Sequence, residues 1–217
     1  MISPKTPSSP ADAWITSTLL ADSGALPLAS RLRTLTPGLR LAGPALTVHV
    51  PAGDNLAIHA ALSRARPGDV LVIDGQAHLE RALMGGIMST QAKAAGVAGV
   101  VIDGAMRDVA ELPAIGLPAF ACGVHPAGPH KAGPGRVGHP VHCAGVEVRP
   151  GDWIFGDDDG VVVVPAARRE QIVAAAGAKL AREQARLAAI ARGELVAAWL
   201  ADALAAGGVE FADDTAR

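Results

Sequence analysis

Residues 97–104, VAGVVIDG, are the stretch that most limits what this chain can become. The run is short, apolar and rich in β-branched residues, and Asp103-Gly104 closes it like a turn. Such a run reads as a strand buried inside a sheet rather than one with a wet face. A second run of the same kind, VLVIDG at 70–75, is bounded by PGD at 67–69 and by Asp74-Gly75. Between the two lies MSTQAKAAG, 88–96, where Ala and Lys favour a short helix and Gly96 can stop it.

The alternation extends in both directions. Residues 11–28 have the spacing of a helix ending near Gly24, and 45–50 alternate as a strand. NLAIHAALSRA, 55–65, returns to helical spacing, while VAELPAIG, 109–116, reads as a helical turn broken by Pro113. LPAFACG, 117–123, is a further strand, and the Gly-, Pro- and His-rich 124–145 reads as loop or edge structure. PGDWIFGDDDGVVVVP, 150–165, predicts two strands joined at Asp159-Gly160. Residues 166–206 are Ala-rich and helical, with a break at Gly193. Helices alternating with strands, followed by clustered strands, indicate an α/β sandwich of layers around one core.

Half of the 217 residues are hydrophobic, enough for one sizeable core. A single domain over 15–213, with its C-terminal helical segment at 166–206, is expected after a polar, Pro-rich tail at 1–14 that does not read as a signal peptide. A net charge of −2 argues against a nucleic-acid partner, and the absence of a long apolar run argues against a membrane one. Two cysteines without a CxxC pair suit a reducing cytoplasm. Cys122, Cys143, His125, His130, His139 and His142 have no standard zinc spacing. GDN at 53–55 and His59 read as turn and helix-start chemistry.

Chemistry is concentrated after the two buried strands. Arg107 and Asp108 follow the second, at the end of an α/β strand where such sheets commonly hold ligands. Arg forks onto a carboxylate or an enolate oxygen, and Asp holds a hard divalent cation. Glu111, three residues beyond Asp108, is one helical turn away and can share its face. LMGGIMSTQ, 83–91, places Gly85 and Gly86 before a helix whose first amides and dipole suit an anion. No Gly-Lys-Ser/Thr follows, so it is not a nucleotide P-loop, and no glycine-rich loop suits S-adenosylmethionine.

The spacing joins these motifs. Gly86, twenty residues, Arg107-Asp108, two residues and Glu111 form a G-x20-R-D-x2-E pattern. With GVAGVVIDGAMRDVAEL, GPHKAGPG and CAGVEVRPGDWIFGDDDGVVVVP in order, the chain resembles a known family. That family contains the regulator of ribonuclease activity A and the class II 4-hydroxy-4-methyl-2-oxoglutarate/4-carboxy-4-hydroxy-2-oxoadipate aldolases. The resemblance implies an α/β fold, an αββα sandwich of the swivelling β/β/α type, assembled as a homotrimer or dimer of trimers. It implies a lyase using Mg2+ or Mn2+ on a small oxo-acid, releasing pyruvate and decarboxylating oxaloacetate. By carry-over, Asp108 anchors the metal, Arg107 meets the oxo oxygen, and the backbone of Gly85, Gly86, Ile87 and Met88 holds the pyruvyl carboxylate. Glu111 stands in for an Asp that better-characterised aldolases carry at position 86. Glu183 is the nearest match to a family Glu that reaches a neighbouring subunit's site. The same resemblance leaves a second reading, a non-catalytic protein that binds and regulates ribonuclease E.

Overall fold

The computed structural model describes residues 15–210; the expected tail and residues 211–213 lie outside them. In chain order the elements are α1 (Ser17–Ala21), β1 (Leu26–Pro27), β2 (Arg33–Thr34), β3 (Leu41–His49), α2 (Leu56–Leu62), β4 (Val70–Met84), α3 (Gly86–Ala94), β5 (Gly99–Met106), α4 (Leu112–Ile115), β6 (Ala119–Val124), β7 (Arg136–Val137), β8 (Val141–Cys143), β9 (Val146–Val148), β10 (Trp153–Asp157), β11 (Gly160–Val164), α5 (Arg169–Ala191) and α6 (Leu200–Ala205). The chain divides into two compact units, one ending at Gly177 and the other beginning at Ala178.

The first unit is built on a large mixed sheet, which bears out the α/β expectation. Strands β3, β4, β5 and β6 lie side by side and parallel. The strand β3 belongs to two neighbourhoods. Its Leu41–Pro44 half pairs antiparallel with β10, and its Ala45–His49 half pairs parallel with β4. Strands β10 and β11 form the expected hairpin, β1 extends it, and β2 closes the far edge against β6.

Alternation along β4 shows why the sheet is covered on both faces. Leu71 and Ile73 join a core with Ile58 of α2, Met88 of α3 and Leu112 of α4. Val70 and Val72 point into a second core with Phe120, Val148, Ile154 and Val163. The central strand β5 is buried along its whole length, as a parallel strand covered on both faces must be. Its one charged residue, Asp103, is matched by Arg31 at 2.9 Å and by the Ala144 N–H at 2.7 Å.

Three local expectations need correction. The run at 70–75 does not end at its Asp-Gly: β4 continues to Met84, with register shifts after Asp74, His78 and Ala82. Gln76 and Ala77 both have positive φ, 59° and 54°, a kink that no glycine marks. Pro113 does not break a helix but sits in the first turn of α4, where its missing N–H costs nothing. The first helix is short, Ser17–Ala21, though Gly24 does turn the chain with φ 103°.

In the second unit, α5 continues to Ala191, Gly193 breaks the helical run with φ 91°, and α6 follows. The Arg186 guanidinium clamps the break by donating to the carbonyls of Glu194 and Leu195, each at 2.7 Å. Among the described residues no helix is long and apolar enough to cross a membrane.

Candidate active site

The parallel register brings the two strand ends together. Met84 of β4 lies opposite Met106 of β5, so Gly85 and Arg107 leave the sheet as neighbours. The Arg107 N–H donates to the Met84 carbonyl at 3.0 Å. Asp108 then adopts φ 57°, a left-handed backbone that Asp tolerates better than most residues. The Gly86 N–H donates to its Oδ2 at 2.9 Å, and the Glu111 N–H donates to its carbonyl at 3.0 Å. Arg107 Nε lies 3.6 Å from Asp108 Oδ2, and both side chains remain partly open to solvent.

A side chain at Gly85 or Gly86 would displace neighbouring side chains. A Cβ at Gly85 would strike Asp108 Oδ2 and lie 2.8 Å from Arg107 Cγ. At Gly86 it would strike Glu111 Oε2, with Asp108 Cβ 3.7 Å away. The Glu111 carboxylate therefore occupies the space that a side chain at 86 would need. The expected route to this proximity was different. Glu111 does not share a helix face with Asp108; it precedes α4, and a tight turn through left-handed Asp108 brings it round.

A cavity of about 230 Å³ opens over these groups. Gly85, Ile87, Met88, Arg107 and Asp108 line it, joined by Asn55, His59 and Lys131. One floor is the start of α3, where the Ile87 and Met88 N–H groups precede any intrahelical partner. Gly86 and Glu111 sit directly beside this floor. Glu183 lies in the second unit, 3.8 Å from Lys179. Among the described residues no three His, Cys, Asp or Glu side chains converge on one point. The Cys122 thiol is pushed up to about 11, first by burial and then by the adjacent Asp103 carboxylate, which suits an unreactive position.

Sequence reading missed Asn55, His59 and Lys131 as members of one site. Backbone bonds assemble them: Asn55 N–H to the His130 carbonyl at 3.0 Å, and His130 N–H to the Gly53 carbonyl at 2.8 Å. Asp54 then staples the junction. Its carboxylate accepts from Ala132 at 2.6 Å, Leu56 at 2.9 Å and Gly133 at 3.1 Å. Burial opposes its ionisation, but the N–H groups of Ala132, Leu56 and Gly133 outweigh burial and hold its carboxyl below the usual range. The clue available in the sequence was the Gly-Asp-Asn triplet at 53–55, a turn composition with an acceptor that can bind several amides.

Asp54→Ala should lower unfolding free energy in urea by about 1–2 kcal/mol at neutral pH, the cost of losing part-buried hydrogen bonds to a charged acceptor. A carboxyl with a lowered folded pKa stabilises fully above the ordinary carboxylate range and stops doing so as pH falls through the folded value. The gap between parent and variant should therefore close on acidification. A gap that persists at strongly acid pH would mean that lost packing, not the charge, explains the difference.

The chain is similar to several known proteins. The family described as RraA-like, Aldolase/RraA, matches residues 15–163. A protein of Halalkalibacterium halodurans named "Putative 4-hydroxy-4-methyl-2-oxoglutarate aldolase" is 41% identical over 178 residues, covering 81% of this chain and 85% of that one. The crystal structure of Streptomyces coelicolor RraAS2, described as an unusual member of the RNase ES inhibitor RraA protein family, has a TM-score of 0.72 at 29% identity. It covers 82% of this chain and 95% of that one. An uncharacterized protein from Pseudomonas syringae pv. tomato has a TM-score of 0.74 at 26% identity, over 84% of this chain and 91% of its own. With the match spanning both buried strands, the glycine pair and the Arg-Asp pair, the chain belongs to the RraA-like (Aldolase/RraA) family.

Proposed function

We propose that this protein is a divalent-metal-dependent carbon–carbon lyase. It cleaves 4-hydroxy-2-oxo acids of the 4-hydroxy-4-methyl-2-oxoglutarate type to pyruvate and decarboxylates oxaloacetate, both through pyruvate enolate. The observation that carries the reading is the placement of Arg107 and Asp108 on one cavity wall beside the start of α3. The Ile87 and Met88 amides bind the substrate's 1-carboxylate, helped by the helix dipole. Arg107 donates to the 2-oxo oxygen and gains strength as that oxygen becomes an enolate. Lys131 adds a second cation for a dianionic substrate.

Asp108 and Glu111 supply hard oxygen donors without a closed protein cage, which fits Mg2+ or Mn2+ retaining most of its water. Asp108 would hold such a cation and Glu111 would order its waters; the cation supplies Lewis-acid polarisation of the 2-oxo group. The aldolase name of the H. halodurans relative supports this activity, and we extend it to a homotrimer or dimer of trimers in the cytoplasm. Pyruvate release over a panel of 4-hydroxy-2-oxo acids and oxaloacetate is the direct test. No turnover of any of them, together with capture of ribonuclease E, would replace this reading with a regulatory binder.

Glu111→Ala should weaken Mg2+ or Mn2+ binding by about 10–100-fold, the usual cost of losing a group that orients metal ligands. Gly86→Asp on that background should recover part of the loss, because Glu111 no longer fills the space beside residue 86. Calorimetric titration with the metal alone reads both. Unchanged affinity in Glu111→Ala would reduce Glu111 to a turn residue.

A further inference from the structure

One wall of the cavity has no part in carboxylate or enolate binding. Asn55 and His59 are one helical turn apart at the start of α2, and both line the cavity with Arg107, Asp108 and Lys131. The Asn55 amide is fixed in direction, since Nδ2 donates to the Leu83 carbonyl at 3.0 Å. Its Oδ1 is buried without a hydrogen-bond partner, and so is His59 Nε2. Buried polar atoms are nearly always paired, so two unpaired ones on residues that line a cavity point to a missing ligand group. That group is not a carboxylate, which is acceptor-only and would face the Asn55 acceptor. The cationic and amide side of the cavity already suits carboxylates. A hydroxyl, able to donate and accept, fits the Asn55–His59 wall.

We propose that Asn55 and His59 form a hydroxyl-recognising wall, and that His59 Nε2 takes the 4-hydroxyl proton during carbon–carbon cleavage. The inference rests on the lyase reading. The O–H pair becomes the C4 carbonyl bond, and the C3–C4 pair moves into the C2–C3 enolate, whose negative oxygen lies by Arg107. His59 then returns its proton to C3, giving the pyruvate methyl group and a neutral imidazole. Oxaloacetate has no 4-hydroxyl, and its C3–C4 bond breaks with loss of CO2 without a base at that position.

The test compares parent and His59→Asn in the Mg2+-loaded full chain. Pyruvate release from a 4-hydroxy-2-oxo acid, CO2 release from oxaloacetate, and calorimetric binding of pyruvate are measured. The expected result is a fall in aldol cleavage of about 10²-fold or more, the ordinary contribution of a general base. The fall in CO2 release should be at least about tenfold smaller, with pyruvate still bound. Because decarboxylation and pyruvate binding both require a formed cavity, they also report on folding. Equal losses in both reactions, or no loss in either, would overturn the proposal while leaving the lyase reading in place. A parent protein inactive on both substrates would overturn both together.

Discussion

Stripping divalent cations from the protein should lower pyruvate release by about 10³-fold, and Mg2+ or Mn2+ should restore it. Lewis-acid polarisation is worth several kcal/mol of charge stabilisation, and each 1.4 kcal/mol is about tenfold in rate. Lys131, the one lysine among the described residues that line the cavity, is exposed, and the proposed reaction does not call on a Schiff base. Among the described residues Asp108 is the only carboxylate lining the cavity, so weak occupancy in dilute buffer is expected, and the activity should titrate with added metal. Full turnover in protein shown by elemental analysis to be metal-free would remove the polarisation step from the mechanism.

Arg107→Ala should lower turnover by about 10³-fold, and Arg107→Lys by at least about 10²-fold, the range for removing a donor to a developing oxyanion. The lysine variant is the more informative. It keeps the charge but not the planar fork, and an ammonium on a flexible stem cannot hold the position that Arg107 takes beneath Gly128. A Cβ at Gly128 would come within 2.9 Å of Arg107 Nη1, so the loop is shaped around the guanidinium. Thermal stability should change little in either variant, since the side chain is partly exposed. Near-parent turnover in Arg107→Lys would reassign Arg107 to a surface ion pair with Asp108.

The buried strands were legible because apolar β-branched runs have few alternatives. VLVIDG and VAGVVIDG appear as parallel neighbours, and the hairpin at 150–165 forms where Asp159-Gly160 signalled it. The extension of β4 was not legible. Its residues 76–81 are mostly polar and pass through the left-handed kink at Gln76 and Ala77, so local sequence resembles a loop while pairing to β5 resumes at His78, Ala82 and Met84. Half of the site could be read for a similar reason. Gly85, Gly86, Arg107, Asp108 and Glu111 follow two adjacent strands, and one spacing captures them. Asn55 and His59 are one helical turn apart, but Lys131 joins them only through long-range bonds around Asp54 and His130, which no local pattern encodes.

The contact between Gly86 and Glu111 also bears on how such a site can change over generations. Glu111 Oε2 fills the space beside residue 86, so an acidic side chain placed there requires the Glu111 carboxylate to swing aside. An Asp introduced at 86 first meets a collision and a second negative charge; a small residue introduced at 111 first leaves the Asp108 side of the site short of a carboxylate. On the proposed metal-site reading the two positions are coupled by sign epistasis: either substitution alone is expected to weaken metal binding, and the two together to recover part of it.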